Sequence, residues 1–218
     1  MNKTSIVIPV YNHWDLVENL IADLEKFEID NIDEVVICDN GSEEQRVLKS
    51  GLPIKYLRSE KNLGFTLASN FGLKKVRQGD DRMVFLISTD VRIYSKFIDR
   101  ASDILFGAQP ALLGNRHITF DSGWNTFDGI TFDYLEGWFL GATSEGWRYL
   151  GYFDEAYSPF DYEDIDLSTT AKQKGYKLVS LNNPNIIHLG AQTIGFNPER
   201  EAITIRNKEY FRKKWVGE

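Results

Sequence analysis

The stretch Glu34-Val35-Val36-Ile37-Cys38, followed at once by Asp39-Asn40-Gly41-Ser42, decides the fold class of this chain. Its β-branched apolar residues are typical of a short strand buried on both faces, and the polar residues with glycine after it indicate a turn. Similar runs occupy Ile6 to Val10 and Met83 to Ile87, and a shorter one occupies Ile54 to Leu57. Each run predicts another strand of the same sheet.

Helix-like segments separate these strands. Apolar residues recur at the spacing of one helix face from Leu16 to Phe27 and again from Phe65 to Val76. Strands that alternate with helices, each strand buried on both faces, predict an α/β fold with a mostly parallel central sheet flanked by helices on both faces. The 218 residues, 42% of them apolar, fit a single domain over residues 1–218.

The second half of the chain is dense in aromatic residues and glycines, and we expect most of these rings to lie in the core. A helix is predicted from about Asp161 to Gly175, because acidic residues favour the first turn of a helix. A strand from Lys177 to Leu181 and an apolar run from Ile186 to His188 follow it. A last amphipathic helix is predicted from about Pro198 to Trp215.

Net charge, cysteine content and the lengths of the apolar runs argue against a nucleic-acid-binding, disulfide-bonded or membrane-spanning protein. The net charge of −7 disfavours nucleic acid as a partner, and the visible basic concentration is the short tail from Arg206 to Lys214. The single cysteine, Cys38, forms no intramolecular disulfide, which points to a reducing compartment and a cytoplasmic protein. The sequence contains no apolar run of about 18 residues, so we expect no transmembrane segment.

Polar residues follow several predicted strands. Asn12, Asp39 and Asp90 lie just past strand ends, and Asn62 lies in the loop after the third strand. Parallel sheets bind ligands at the carboxyl ends of their strands, so these residues are expected to converge at one edge. Each of them alone is equally compatible with an ordinary turn, and their joint position favours a nucleotide site.

Asp90 and His188 are candidates for a metal site at this edge. A carboxylate at the end of a buried strand suits a hard cation that bridges a diphosphate, and Mg²⁺ and Mn²⁺ favour such oxygen ligands. His188 follows an apolar run and could reach the same edge. Two alternatives stay open, namely that Asp90 caps a helix that starts near Tyr94 and that His188 is purely structural.

An acidic cluster comprises Asp154, Glu155 and the carboxylates between Asp161 and Asp166. Helix capping explains part of it, but so many carboxylates exceed what capping requires. On a helix, neighbouring residues point in different directions, so the whole cluster cannot face one pocket. One carboxylate here could act as a base that takes a proton from an attacking hydroxyl.

At this point the motifs resemble those of the family 2 glycosyltransferases, which are inverting enzymes with the GT-A fold. The resemblance covers nearly the whole chain. Each motif alone is weakly specific, but the set of motifs in this order is a specific match. The matching segments are Ser5 to Asn12, Val35 to Ser42, Asn62 to Asn70, Leu135 to Gly141, Gly151 to Glu155, Tyr162 to Leu167, His188 to Gly190 and Tyr210 to Trp215.

The resemblance implies a role for individual residues. Asp164 corresponds to the general base, and Asp90 with His188 corresponds to the site of Mn²⁺ or Mg²⁺. The donor nucleotide-sugar would contact Pro9, Tyr11, Asn12, Asp39, Asn62, Gly64, Ser88 and Thr89. The acceptor would contact Glu163, Asp154 and Trp138, and some aromatic rings would stack on sugar faces. The nucleotide-binding half would span about residues 1–90 and the acceptor-binding half about 91–218.

One motif departs from the family pattern. The metal motif usually reads Asp-x-Asp or Asn-x-Asp, whereas this chain has Ser88-Thr89-Asp90. The final Asp is retained, but Ser88 is a weaker partner for a metal or a ribose. Metal affinity or the choice of donor is therefore expected to differ.

The resulting hypothesis is transfer of a hexose or deoxyhexose from a UDP- or dTDP-sugar to a hydroxyl of a glycan or glycolipid, with the later motifs closest to rhamnosyltransferase-like members. A nucleotidyltransferase is one alternative, although the run from Tyr11 to Trp14 is not the basic loop it would need. A non-catalytic nucleotide-sugar-binding domain is another. The basic tail is compatible with peripheral membrane contact. The chain is short for the family, as one domain of a longer protein would be.

Overall fold

The computed structural model describes residues 3–190 and 198–217. Its strands are β1 (Lys3–Val10), β2 (Glu34–Asp39), β3 (Ile54–Arg58), β4 (Arg82–Ile87), β5 (Val91–Ile93), β6 (Ala111–Gly114), β7 (His117–Ile118), β8 (Thr126–Phe127), β9 (Ile130–Thr131), β10 (Tyr134–Leu135), β11 (Phe139–Thr143), β12 (Lys177–Ser180) and β13 (Ile186–His188). Its helices are α1 (Trp14–Glu28), α2 (Gly64–Leu73), α3 (Ile98–Leu105), α4 (Ser144–Leu150), α5 (Glu163–Gln173) and α6 (Pro198–Trp215).

A seven-stranded sheet in the order β12-β6-β11-β4-β1-β2-β3 forms the centre of the fold. The strands β3, β2, β1 and β4 are parallel, as are β6 and β12, so the predicted mostly parallel sheet is confirmed. The sequence did not predict β11, which lies antiparallel between β4 and β6. Gly141 in this strand is required by packing, because a Cβ there would lie 2.6 Å from the ring of Phe85.

The expectation that every strand is buried on both faces is wrong for β3. This strand lies at the edge of the sheet, and its side chains at Lys55 and Arg58 are exposed. In contrast, all residues of β2 and β4 are buried. The polar side chains of an edge strand can reach solvent and also the loops at the sheet's carboxyl edge, and Arg58 does so.

Helices cover both faces of the sheet, as predicted, because alternate side chains of each strand point to opposite faces. Ile6 and Ile8 of β1 pack in one core cluster with residues of α1 and α3. Val7 of the same strand packs in a second cluster with residues of α2, α4 and α5. Among the described residues, no helix is long and apolar enough to cross a lipid bilayer.

The last helix has the predicted bounds and closes a third, aromatic cluster. Phe211 of α6 is fully buried and stacks on Phe127 with ring centroids 5.2 Å apart. Asn207 is also fully buried, and its side-chain amide donates to the carbonyls of Tyr157, Phe160 and Asp161 at 2.7–2.9 Å. This helix therefore holds in place the loop that precedes α5.

Candidate active site

A cavity of about 790 Å³ opens at the carboxyl edge of β1 and β4. This volume lies within the range of ligand sites, which are commonly some 300–1,000 Å³. The cavity extends from the first half of the chain to α5 and α6. Most of the predicted site residues line it, namely Pro9, Tyr11, Asn62, Gly64, Ser88, Thr89, Asp90, Trp138, Glu163, Asp164 and His188.

Asp39 and Asn12 are predicted donor contacts that the structure does not bring to the cavity lining. The carboxylate of Asp39 is buried, pairs with the guanidinium of Arg58 and accepts a hydrogen bond of 2.8 Å from Ser42 N. The side-chain oxygen of Asn12 accepts from Glu43 N at 2.9 Å. Both side chains thus stabilise the turn after β2. The guanidinium of Arg58 on the edge strand pairs with Asp39, and backbone amides of the turn donate to Asp39 and to Asn12.

Asn40, the residue after Asp39, lines the cavity although sequence reasoning did not single it out. Its amide nitrogen donates to Asn62 Oδ1 at 2.9 Å, and its oxygen accepts from Leu63 N at 2.8 Å. These bonds fix the loop before α2. Gly64 in this loop has φ +80°, and a Cβ there would lie 2.3 Å from Pro159 Cβ, so glycine is required at the position.

Asp90 and His188 are close partners at the cavity wall. His188 Nε2 lies 3.2 Å from Asp90 Oδ1, and both residues line the cavity. The contact arises because β5 and β13 pair antiparallel, with His188 opposite Val91. The alternative that Asp90 caps a helix near Tyr94 is wrong, since a strand follows Asp90 directly.

The partners of His188 form a chain of contacts along the wall. Its ring stacks on Trp138 with centroids 5.0 Å apart and an interplanar angle of 11°. Trp138 Nε1 donates to Glu136 Oε2 at 2.7 Å, and Glu136 in turn pairs with Arg116 at 3.3 Å. Such outer partners hold a metal-binding side chain in orientation. Glu136 was not predicted as a site residue, although it lies in the motif from Leu135 to Gly141.

The donor atoms at Asp90 and His188 fit a divalent metal such as Mn²⁺ or Mg²⁺. One carboxylate oxygen and one imidazole nitrogen are near each other, and Asp90 is only 6% exposed. Within residues 3–190 and 198–217, no group of three His, Cys, Asp or Glu side chains could hold a metal. Asp90 and His188 could therefore supply only part of a metal's coordination shell. Such an arrangement suits ions that take further oxygen ligands from phosphate and water.

Asp164 is the second residue of α5 and lines the same cavity. Its Oδ2 accepts from Gly137 N at 2.9 Å, and its Oδ1 accepts from Ile165 N at 2.8 Å. Burial raises the pKa of Asp164 to about 7, although these two hydrogen bonds act to lower it. The negative charges of Asp161 and Glu136 raise this pKa as well. A carboxyl group with such a pKa can exchange a proton near neutral pH.

Glu163 is the second carboxyl group of this motif and is 6% exposed. Burial, and next the charge of Asp164, raise the pKa of Glu163 well above its usual range. Within the described part of the chain, its Oε2 atom is buried without a hydrogen-bond partner. A buried polar atom without a hydrogen-bond partner destabilises the folded state, and a ligand in the cavity could form the missing hydrogen bond.

Several other carboxylates of the predicted acidic cluster hold α6, whereas Glu155 pairs with Lys74 at the end of α2, at 2.8 Å. Asp154, a predicted acceptor contact, does not line the cavity; its Oδ2 accepts from Lys214 Nζ at 2.8 Å and Tyr210 Oη at 3.0 Å. Asp166 accepts from Trp215 Nε1 at 2.7 Å. The basic C-terminal residues therefore engage acidic partners within the chain. The cluster divides into a structural part and the three carboxylates that line the cavity, Asp161, Glu163 and Asp164.

Several further cavity residues were not predicted as site residues, because their place at the cavity depends on the tertiary structure. The cavity wall also contains aromatic and charged side chains that only the fold brings together. They are Trp124, Tyr134, Phe160, Asp161 and Arg200.

Comparison with known proteins gives both a family and a fold. A sequence model of the family described as Glycosyl transferase family 2 matches residues 5–150. Over 80 residues, or 34% of this chain, the sequence is 30% identical to the uncharacterized glycosyltransferase YfnE of Bacillus subtilis (strain 168). The matched part is 20% of YfnE, so the chain spans about a fifth of that protein.

Solved structures match at low sequence identity. GalNAc-T7 with UDP, GalNAc and Mn²⁺ has a TM-score of 0.74 and 14% identity over 99% of this chain and 48% of that chain. A mannosyltransferase from Pyrobaculum calidifontis, PcManGT in complex with GDP-Man and Mn²⁺, has a TM-score of 0.60 and 16% identity over 82% of this chain and 54% of that chain. S. aureus TarS 1-349 in complex with UDP-GlcNAc has a TM-score of 0.65 and 17% identity over 97% and 66%. This likeness shows a shared GT-A fold, and the chain spans about half of the first two structures.

Proposed function

The chain belongs to glycosyl transferase family 2, and from that membership we propose that it transfers a sugar from a nucleotide diphosphate-sugar to a hydroxyl group of a glycan or glycolipid, with inversion at the anomeric carbon. The observation that carries the proposal is that one cavity is lined both by Asp164, a carboxyl group with a pKa of about 7, and by the Asp90–His188 pair.

Asp164 is the proposed general base. As the acceptor oxygen attacks the anomeric carbon, its proton moves to a carboxylate oxygen of Asp164, and the bond between that carbon and the diphosphate oxygen breaks. The backbone amides of Gly137 and Ile165 keep the carboxylate oriented during this transfer. A base with a pKa near the working pH is the most effective for such a step.

Asp90 and His188 would hold Mn²⁺ or Mg²⁺, which when bound would offset the negative charge of the leaving diphosphate. The donor would lie over Pro9, Tyr11, Asn62, Gly64, Ser88 and Thr89, all in the cavity lining. Asp39 and Asn12 would support the nucleoside through the turn after β2. We propose a UDP- or dTDP-sugar as donor, with a deoxyhexose such as rhamnose as the donor sugar that the later motifs favour.

Glu163 and Trp138 are the proposed acceptor contacts. Both line the cavity, and the unpartnered Oε2 of Glu163 supports a hydrogen bond to a sugar hydroxyl. The buried, free thiol of Cys38 supports a cytoplasmic location. We also propose that the chain acts as part of a longer protein, as its share of YfnE suggests.

Turnover of the donor in Asp164→Asn tests the proposal. The variant should bind UDP with unchanged affinity, while release of sugar from a panel of UDP- and dTDP-sugars to water or glycosides should fall at least about a hundredfold. Equal turnover in the variant and the wild type would contradict the role of Asp164. A nucleotide-binding domain without catalysis would show binding in both proteins and turnover in neither.

A further inference from the structure

Trp124 is an aromatic side chain that the proposed mechanism does not use. It lies in the segment between β7 and β8, lines the cavity and is 44% exposed. Trp14 and Trp147, in contrast, are buried in the two main cores. A large ring that stays exposed at the wall of a site is the pattern of a ligand contact, because an indole buries a large area when a flat partner covers it.

The backbone around Trp124 is held in place. Asn125 is fully buried, its amide nitrogen donates to the carbonyls of Phe120 and Phe132, and its oxygen accepts from Ser122. The ring is thus presented on a fixed support. An anchor of this kind loses little conformational freedom when a ligand binds.

Trp124 is also tied to the catalytic segment. The hydroxyl of Tyr162 donates to the carbonyl of Trp124 at 2.9 Å, and the two rings lie 6.4 Å apart at 47°. Tyr162 directly precedes Glu163 and Asp164, both of which line the same cavity. The indole therefore stands on the side of the proposed base.

The groups around this wall match the two kinds of surface that a pyranose presents. Its C–H face is apolar and covers an aromatic ring, and its hydroxyls need donors and acceptors at the edge. Glu163 supplies a buried oxygen without a partner among the described residues, and the Arg200–Asp161 pair, at 2.9 Å, supplies charged groups beside it. The polar groups are few and placed around an apolar surface, as in small-molecule sites.

We infer that Trp124 is the stacking platform for the acceptor, and that the acceptor is a pyranoside whose apolar ring face covers the indole while its hydroxyl points to Asp164. This inference rests on the proposed function. It makes Trp124 a specificity-determining residue, because a sugar with a bulky group on the stacking face, or an acyclic alcohol, would lose the contact.

Fluorine NMR of the full chain labelled with 5-fluorotryptophan tests the inference. The protein is loaded with UDP and Mn²⁺ and titrated with methyl α-L-rhamnopyranoside, methyl β-D-glucopyranoside, methyl β-D-galactopyranoside and, as an acyclic control, glycerol. The Trp124 resonance is assigned by its loss in Trp124→Tyr. We expect a saturable shift of this resonance with at least one glycoside and none with glycerol, while the resonances of Trp14 and Trp147 stay in place.

Saturation-transfer NMR on matched variants then measures the size of the effect. Trp124→Ala should weaken glycoside binding at least about fivefold, the scale of a central aromatic contact, and Trp124→Tyr should restore most of it. Phe120→Ala is the control, because Phe120 is 58% exposed in the same segment but does not line the cavity, and its variant should bind as the wild type does.

Two results would overturn the inference, and they differ from a failure of the proposed function. A wild type that binds UDP with Mn²⁺ but shows no Trp124 shift with any glycoside contradicts the platform alone. Equal glycoside affinity in Trp124→Ala and the wild type contradicts it as well. A wild type that does not bind UDP at all contradicts the proposed function itself.

Discussion

The backbone amide of Gly137 donates a hydrogen bond of 2.9 Å to Oδ2 of Asp164. Gly137 directly precedes Trp138, whose ring stacks on His188. One short segment thus touches the proposed base on one side and the proposed metal-binding pair on the other. A Cβ at Gly137 would lie 3.1 Å from Asp164 Cβ, so a larger residue there would press against the proposed base.

Turnover should depend on pH through Asp164. Since burial raises the pKa of Asp164 to about 7 and only the ionised form accepts a proton, the rate should rise about tenfold per unit below that pH and level off above it. The measurement is the turnover number of donor hydrolysis between about pH 5.5 and 8.5. Donor and Mn²⁺ are kept saturating at every pH, so that loss of donor or metal does not contribute.

Asp164→Asn is the control for this profile, and its residual rate should show no such rise. A wild-type rate that is constant from acid to neutral pH would mean that no group of raised pKa takes the proton.

Asp164 should also lower the stability of the fold at high pH. A carboxyl group whose pKa is higher in the folded state than in the unfolded state favours folding below the unfolded value, near 4, and that contribution disappears as the pH rises through about 7. Asp164→Asn removes the ionisation, so at pH 8 it should unfold with a free energy about 1–2 kcal/mol above that of the wild type. Near pH 4 the difference should vanish.

Asp154→Asn is a matched variant with the opposite sign. Burial acts to raise the pKa of Asp154, but hydrogen bonds from Lys214, Ala156 N and Tyr210 outweigh it and lower the pKa. Its contribution is present above the unfolded value and is lost as the pH falls through the folded one, so Asp154→Asn should destabilise the fold at pH 8. Urea unfolding at both pH values measures the two effects, and equal signs would contradict the division of the acidic cluster.

Gly64→Ala should damage both the fold and the donor side of the cavity. Gly64 and Gly129 have φ values of +80° and +81°, so alanine strains the backbone at either position by roughly 1 kcal/mol. Only at Gly64 would the new Cβ meet another residue, Pro159, at 2.3 Å. We expect Gly64→Ala to lose at least about 2 kcal/mol more than Gly129→Ala in urea unfolding, because the backbone must move.

UDP affinity separates these two glycine variants further. Gly64 lies in the cavity lining, so its variant should bind UDP more weakly, whereas Gly129→Ala should bind it as the wild type does. Similar losses of stability and of affinity in both variants would contradict the tight fit against Pro159.

The sequence predicted the elements whose pattern is local. The bounds of α6 match the prediction because Pro198 starts the helix and basic residues occupy its last turn, both within one segment. The predicted amphipathic face is wrong, since Asn207 and Phe211 are the buried residues of this helix. The strand β11 could not be predicted in this way. Its identity depends on two flanking strands and on the room that Gly141 leaves for Phe85, which are properties of the tertiary structure.

The site residues, too, could be predicted where the sequence signal is local and not where it depends on the tertiary structure. The ends of β1 and β4 could be recognised in the sequence, and the residues after them do line the cavity. Asp39 also lies at the end of a strand, but Arg58 of the neighbouring strand pairs with its carboxylate, and no sequence spacing predicts that ion pair. Trp124 is one aromatic among many in the second half, and only the folded chain brings it to the cavity.

Calorimetric titration of UDP with and without Mn²⁺, on the wild type and Asp90→Ala, tests the central claim most directly. The account predicts that tight binding to the wild type requires Mn²⁺ and that Asp90→Ala weakens it at least about tenfold, since Asp90 and His188 together supply the protein side of the metal site. Binding of equal strength with and without the metal, and in both proteins, would contradict that claim.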